Sequence, residues 1–152
     1  MSTRMDVAVA KFLGGYNCAQ SIVYAFSDDI RIDKNLALKI SGGFGAGMGR
    51  KEEVCGAVTG GIMVIGLKYG RGEHDDRKVT DLAYAKVREL MDRFAEKHGT
   101  FICRKLLDGC ELTTEEGQRQ YKEKDLLHKI CMPCVGTVAG LLGDILLIER
   151  TP

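Results

Sequence analysis

The chain has 152 residues, of which 45% are hydrophobic and 28% are charged, a composition typical of a folded globular protein rather than a disordered one. Because 22 Lys and Arg residues nearly balance 21 Asp and Glu residues, the net charge of +1 creates no overall field that would attract nucleic acid or an anionic membrane surface. The length is that of one domain, and we predict a single cysteine-rich helical domain over residues 1–152.

The apolar segments are too short for membrane insertion or export. The N-terminal segment holds only short apolar stretches, and the longest apolar stretch, residues 54–67, is interrupted by glycines. A membrane-spanning helix needs about 20 consecutive apolar residues, and an export signal needs an apolar run before a small-residue cleavage site. We therefore expect a cytoplasmic protein that contacts neither a membrane nor nucleic acid.

Helical periodicity dominates the sequence, and no segment alternates as a β-strand would. The predicted helical segments are, in chain order, 4–13, 18–26, 34–40, 54–69, 79–95, 101–107, 114–129 and an apolar pattern over 127–145. Residues 56–70 are apolar on nearly every side and include five glycines, which let neighbouring backbones approach closely. We predict an all-α, single-domain bundle of about six to seven helices around this buried, glycine-rich central helix.

Several residues are predicted to start, stop or interrupt these helices. The helix over 79–95 is preceded by an acidic pair, Asp75 and Asp76, and followed by Gly99. Thr113 stands in capping-box spacing before the polar segment 114–129, and Pro133 is expected to break or kink the chain after it. The glycine-rich residues 42–49 are predicted to form an internal loop that presents Cys55.

Six cysteines are unusual in a chain expected to be cytoplasmic, where structural disulfides are rare and excess thiols serve metal binding or redox chemistry. Local signals place four of them near helix starts. Asn17 is a natural N-cap before Cys18, and Thr100 can cap the helix that contains Cys103. Cys55 follows the glycine-rich loop, and Cys131 stands two residues before Pro133, a residue favoured in the first helical turn.

Helix N-termini offer free amide groups and a partial positive charge, and both stabilise a thiolate. If the four helix starts converge, their thiolates form the ligand set of an iron–sulfur or zinc centre. The predicted site is therefore Cys18, Cys55, Cys103 and Cys131, holding an iron–sulfur centre for electron transfer or redox sensing. One alternative is a structural zinc site made by the same thiols. The other is that each cysteine is a small core residue.

Cys131 and Cys134 also form a CxxC motif, which suits two ligands of one metal or a dithiol that cycles with a disulfide. In the dithiol hypothesis the protein is a thiol–disulfide oxidoreductase, one of these two cysteines is the catalytic nucleophile, and another cysteine resolves the mixed disulfide. The motif lacks the βαβ context of thioredoxin-like proteins, which disfavours this hypothesis. Cys110 follows Gly109 in a predicted loop and receives no role.

The hexad from Cys55 to Gly60, CGAVTG, follows an Asn17-Cys18-Ala19-Gln20 element and precedes Cys103 and Cys131. In this order of cysteines the chain resembles the C_GCAxxG_C_C family of redox-active proteins over roughly residues 12–140. The family name writes glycine before cysteine, whereas Val54 precedes Cys55 here. The resemblance implies a helical domain whose four signature cysteines, Cys18, Cys55, Cys103 and Cys131, are redox-active and carry a prosthetic group such as an iron–sulfur cluster. A redox partner protein and a homodimeric state are further expectations.

Overall fold

The computed structural model describes residues 3–148, in which all regular structure is helical apart from one isolated antiparallel bridge between Val54 and Ile102. The predicted all-α class is therefore confirmed for these residues, and the predicted domain 1–152 extends beyond them at both ends. Residues Gly42–Phe44 form a 3₁₀ turn, and residues Leu127–Cys131 form a π-helical segment. The helices are α1 (Arg4–Leu13), α2 (Cys18–Ala25), α3 (Lys34–Ser41), α4 (Gly45–Met48), α5 (Gly56–Tyr69), α6 (Lys78–His98), α7 (Cys103–Leu106), α8 (Glu115–Glu123) and α9 (Met132–Ile145).

Helix α5 is the buried central helix that its glycine-rich, apolar sequence predicts, and it packs against α2, α6 and α9. Gly56 and Gly60, four residues apart, lie on the side that faces α2. A Cβ atom at Gly60 would stand 2.8 Å from the Ala19 carbonyl oxygen, and one at Gly56 would stand 3.3 Å from Cys18 Cβ. Glycine at these positions thus lets the two backbones approach closely, which brings Cys18 to the beginning of α5.

The N-terminus of α2 is fixed by a reciprocal cap. The Asn17 side chain accepts from the Gln20 amide at 2.9 Å, and the Gln20 side chain accepts from the Asn17 amide at 3.1 Å. The same two side chains donate to the carbonyl oxygens of Gly42 at 2.9 Å and Leu38 at 3.0 Å. The predicted N-cap Asn17 is confirmed, and its additional bonds tie the start of α2 to the end of α3.

Two predicted caps are wrong by one or two residues. Helix α8 is capped by Thr114 and not Thr113, because Thr114 has the extended backbone of an N-cap and its hydroxyl accepts from the Gly117 amide at 2.9 Å. Helix α7 begins after Ile102, and the Thr100 hydroxyl instead accepts from the Ile102 amide at 3.1 Å. Cys103 is still the first residue of its helix.

The predicted break at Pro133 is also wrong. Helix α8 and the stretch Leu127–Ile145 meet at 69°, and the bend lies before Leu127, where Asp125 has a left-handed backbone with φ of 52°. Pro133 lies in the first turn of α9, just after the π-helical segment, so its missing amide is tolerated there. Within residues 3–148, no single helix is long and apolar enough to cross a membrane.

Residues 46–50 form a left-handed turn in which Ala46, Met48 and Arg50 all have positive φ, as do Gly47 and Gly49 between them. Such a backbone costs a residue with a side chain about 1–2 kcal/mol, so surrounding contacts must maintain it. Amides of Glu52 and Glu53 donate to the carbonyl oxygens of Ala46 at 3.2 Å and Gly47 at 3.1 Å. The predicted internal loop is therefore a compact turn directly before Cys55.

Candidate thiol cluster

Five cysteines meet where the N-terminal ends of α2, α5 and α7 approach α9. Cys18 and Cys103 are the first residues of α2 and α7, Cys55 is the N-cap of α5, and Cys134 lies in the first turn of α9. Cys131 stands directly before α9, as expected, but its backbone is helical and the Met132 amide donates to the Leu127 carbonyl oxygen, so the π-helical segment runs into α9 without a free helix end. All of these cysteines are free thiols.

Within the cluster, four of the thiols form two pairs, and each pair joins α9 to another helix. The Cys18 thiol interacts with Cys131, and the Cys55 thiol interacts with Cys134. Cys103 interacts electrostatically with Cys55, Cys131 and Cys134. The four predicted cysteines thus lie together, and Cys134 is a fifth member of the group.

One thiol of each pair has a lowered pKa. The hydrogen bond with Cys134 lowers the pKa of Cys55, and the amides of Ala57 and Val58 at the start of α5 lower it further, against the effect of burial. The hydrogen bond with Cys18 lowers the pKa of Cys131, again against burial. A lowered pKa favours the thiolate, which is the form of cysteine that attacks electrophiles and binds metals.

The pKa values of the other three thiols in the cluster are raised. The hydrogen bond with Cys131 and then burial raise the pKa of Cys18, and the hydrogen bond with Cys55 and then burial raise that of Cys134. Burial, followed by the nearby sulfurs of Cys55 and Cys131, raises the pKa of Cys103 to about 12. Each pair therefore combines a thiol of lowered pKa with a thiol of raised pKa.

The bridge between Val54 and Ile102 sets the distance between Cys55 and Cys103. The Cys55 amide donates to the Phe101 carbonyl oxygen at 2.8 Å, and the Cys103 amide donates to the Glu53 carbonyl oxygen at 2.6 Å. On the other side of Cys103, a Cβ atom at Gly47 would stand 2.8 Å from Cys103 Cβ. The left-handed turn therefore packs against Cys103 through a glycine, which has positive φ at this position.

A cavity of about 390 Å³ opens beside the cluster. Cys18, Cys103 and Cys131 line it, whereas Cys55 and Cys134 lie behind them in the core. Tyr121 of α8 also lines the cavity, and its hydroxyl donates to the Cys131 sulfur at 3.3 Å. Burial and then the charge of Cys131 raise the pKa of Tyr121, so its hydroxyl keeps the proton that it donates.

Glu52 and Cys110 are buried close to the cluster. Glu52 is 4% exposed, one carboxylate oxygen accepts from the Leu112 amide at 2.7 Å, and the other has no hydrogen-bond partner within the described part of the chain. Cys110 donates to the Gly117 carbonyl oxygen at 3.0 Å and packs with Leu107 and Leu112. Glu52 thus ties the turn before Cys55 to the segment after α7, and Cys110 is a packing residue.

Sequence reasoning missed three features of this site. It treated Cys134 only as the partner of Cys131, whereas its thiol contacts Cys55. Tyr121 lies in a polar helix without any motif, and Glu52 stands in an acidic pair that resembles a solvated helix start. Within residues 3–148, no three Cys, His, Asp or Glu side chains are already arranged as a metal-ion site.

The fold and the site define an all-helical protein with a buried cluster of five thiols beside a cavity. The chain belongs to the C_GCAxxG_C_C family, whose profile carries the description "Putative redox-active protein (C_GCAxxG_C_C)" and matches residues 16–145. A protein of Archaeoglobus fulgidus described as "Uncharacterized protein" is 28% identical over 114 residues, which cover 70% of this chain and 76% of the relative. No solved structure matches the chain significantly. Family membership supports a redox-active protein.

Proposed function

We propose that this redox-active protein transfers electrons, or senses redox state, through an iron–sulfur centre held by Cys18, Cys55, Cys103 and Cys131. One observation carries the proposal: thiols from four separate elements meet beside a cavity. Four cysteine thiolates are the usual ligands of such centres, and the donor set here contains sulfur alone. The protein would act in the cytoplasm with a redox partner protein.

The chain's own residues fit this centre chemically. When bound, an iron–sulfur centre supplies reversible one-electron exchange. Binding would replace the interactions between the thiols by ligation. The amides of Ala57 and Val58 would stabilise negative charge at Cys55, as Tyr121 would at Cys131. The buried helix α5 would keep water away from one side of the centre.

Purification without oxygen tests the proposal. The visible absorption spectrum should show a broad band, and analysis should find iron and acid-labile sulfide bound to the chain. A colourless protein with one zinc per chain would support a structural zinc module. A metal-free protein whose thiols oxidise reversibly would support a thiol–disulfide oxidoreductase that uses Cys131 and Cys134.

Single serine variants identify the ligands. Cys18→Ser, Cys55→Ser, Cys103→Ser and Cys131→Ser should each lose most of the bound iron. Cys110→Ser is the matched control, because Cys110 is a buried cysteine outside the proposed ligand set, and a serine hydroxyl can still donate to the Gly117 carbonyl oxygen as the thiol does. Iron loss in Cys110→Ser, or full iron content in all four ligand variants, would contradict the proposed ligand set.

A further inference from the structure

The cavity beside the thiol cluster carries an inference beyond the iron–sulfur centre. We propose that it is a binding site for a small organic anion, whose charged group is held by Arg50 and Lys122 and whose apolar body extends towards the sulfurs. Its volume of about 390 Å³ lies near the lower end of the range for small-molecule pockets, about 300–1,000 Å³. The ligand is therefore a small molecule rather than a peptide segment.

The charged residues of the cavity wall are all cations. Arg50 comes from the end of the left-handed turn and Lys122 from α8, and both side chains are exposed. Within residues 3–148, neither side chain has a hydrogen-bond or ion-pair partner, and no Asp or Glu lines the cavity. Two unpaired cations on one concave surface attract an anion, and the planar fork of an arginine binds carboxylate or phosphate oxygens in pairs.

The rest of the wall favours an apolar body over an inorganic ion. Phe12, Leu107 and Leu112 present buried apolar side chains to the cavity. Asn17 and Gln118 also line it, but the amide group of each already donates to a backbone carbonyl oxygen at 2.9 Å. Few polar groups inside the cavity are thus left for a ligand, and such a surface binds an apolar group with a charged end.

Burial gives the ligand its orientation. Cys18 and Cys103 are buried on the inner side of the cavity, whereas Arg50 and Lys122 are exposed and lie on its solvent side. An anionic group held by these cations points outwards, and the apolar end points inwards. The anion thereby reaches the thiol cluster, and a role as a small-molecule reactant of the iron–sulfur centre rests on the proposed function. Binding itself requires no iron.

A pair of fluorescent probes that differ by one charged group tests this inference on the metal-free, full-length chain. Anilinonaphthalene sulfonate is an apolar anion, and N-phenylnaphthylamine is the same ring system without the sulfonate. We expect the anion to bind at one site with at least about fivefold higher affinity, as exposed ion pairs allow, and added salt to weaken it. Equal affinities for the two probes, or no binding of the anion, would overturn the inference.

Competition separates an organic anion from an inorganic one. Benzoate and phenyl phosphate should each displace the sulfonate probe, and the tighter of the two identifies the preferred charged group. Inorganic phosphate should displace it far less well, because phosphate leaves the apolar wall uncovered. Displacement by inorganic phosphate at the same concentration as by phenyl phosphate would contradict a site for an apolar body.

Charge-removing variants that keep the length of the side chain identify the binding residues. Arg50→Gln and Lys122→Gln should each weaken the sulfonate probe by roughly two- to fivefold and leave the neutral probe unchanged. Arg88→Gln and Lys68→Gln are the matched controls, because both residues are exposed and do not line the cavity. An equal loss in the controls, or no loss in Arg50→Gln and Lys122→Gln, would refute the assignment.

Protection of a cysteine locates the bound probe. Cys131 lines the cavity and is the least buried of the six cysteines, whereas Cys110 does not line it. Saturating sulfonate probe should therefore slow the alkylation of Cys131 by uncharged iodoacetamide and leave that of Cys110 unchanged, as measured by mass spectrometry. Unchanged alkylation of Cys131 would place the probe elsewhere and refute the site. Because these measurements use metal-free protein, they are independent of the iron analysis that tests the proposed function.

Discussion

Among single residues, Tyr121 is placed to tune the proposed iron–sulfur centre, since its hydroxyl donates to the Cys131 sulfur. A hydrogen bond to a ligating sulfur stabilises the additional negative charge of a reduced centre, so removing it lowers the reduction potential. Tyr121→Phe keeps the ring and deletes the donor. We expect the protein to retain its iron and the potential to fall by roughly 40 mV, which corresponds to the loss of about 1 kcal/mol in a one-electron couple.

Potentiometric titration followed by visible absorption measures this shift. Tyr84→Phe is the matched control, because Tyr84 is 60% exposed on α6 and its loss of a hydroxyl should leave the potential unchanged. Equal potentials for Tyr121→Phe and the wild type would contradict a role of Tyr121 at the sulfur.

His98 gives the stability a pH dependence that is separate from the thiols. His98 packs on Phe94 with ring centroids 4.6 Å apart, and its Nε2 lies 2.8 Å from the Thr137 hydroxyl oxygen. Burial and then the charge of Lys97 lower the pKa of His98. The unfolded chain therefore binds this proton more readily than the folded chain does.

It follows that protonation of His98 favours unfolding. The stability should be fully present above the unfolded pKa of about 6.5 and should decrease as the pH falls through the lower, folded pKa. His98→Gln, which can still hydrogen-bond Thr137, should flatten the pH dependence in this window. Urea unfolding between about pH 5 and pH 8 checks the effect, and identical profiles for both proteins would rule it out.

At the scale of elements, the contact between α2 and α5 decides whether the thiols can meet. In Gly60→Ala the new Cβ would lie 2.8 Å from the Ala19 carbonyl oxygen, so the helices would have to move apart. We expect a loss of about 1–3 kcal/mol in the free energy of unfolding, as for other overpacked cores.

Gly66→Ala is the matched control in the same helix, because Gly66 is exposed and a Cβ there would meet nothing within 4 Å. This change should be neutral or stabilise by about 0.5–1 kcal/mol through helix propensity. Urea denaturation compares the two variants, and a smaller loss for Gly60→Ala than for Gly66→Ala would contradict the proposed helix contact.

The helices themselves could be predicted well where a local signal exists. Asn17 and Gln20 are reciprocal caps whose chemistry is contained in four residues, so the start of α2 follows from the sequence. Thr113 and Thr114 are chemically identical neighbours, and only the backbone of Thr114 decides which one caps. The π-helical segment before Pro133 depends on how α9 packs, and it carries no local signature.

For the whole molecule, the site depends on packing that a single sequence does not reveal. The positions of Cys18, Cys55 and Cys103 at helix starts could be predicted from local signals. The contact between Cys55 and Cys134 arises because α9 lies beside the start of α5. Cys134 faces α5, whereas Cys131 faces α2. Glu52 is likewise buried by the segment around Leu112, sixty positions further along the chain. Such long-range neighbours are fixed by tertiary structure alone.

This convergence also couples the proposed centre to global stability. Ligands on α2, α5, α7 and α9 would hold together elements that are distant in sequence, and a centre bound only by the folded chain stabilises it by mass action. At a free-ligand concentration of 1,000 times the dissociation constant, the gain is about 4 kcal/mol.

Removing iron with a chelator under anaerobic conditions should therefore lower the thermal unfolding midpoint, and Cys110→Ser should show the same decrease as the wild type. Cys55→Ser should unfold at one temperature with or without the chelator, since it holds no centre to lose. A chelator-dependent midpoint in Cys55→Ser, or none in the wild type, would show that these thiols do not bind a stabilising centre.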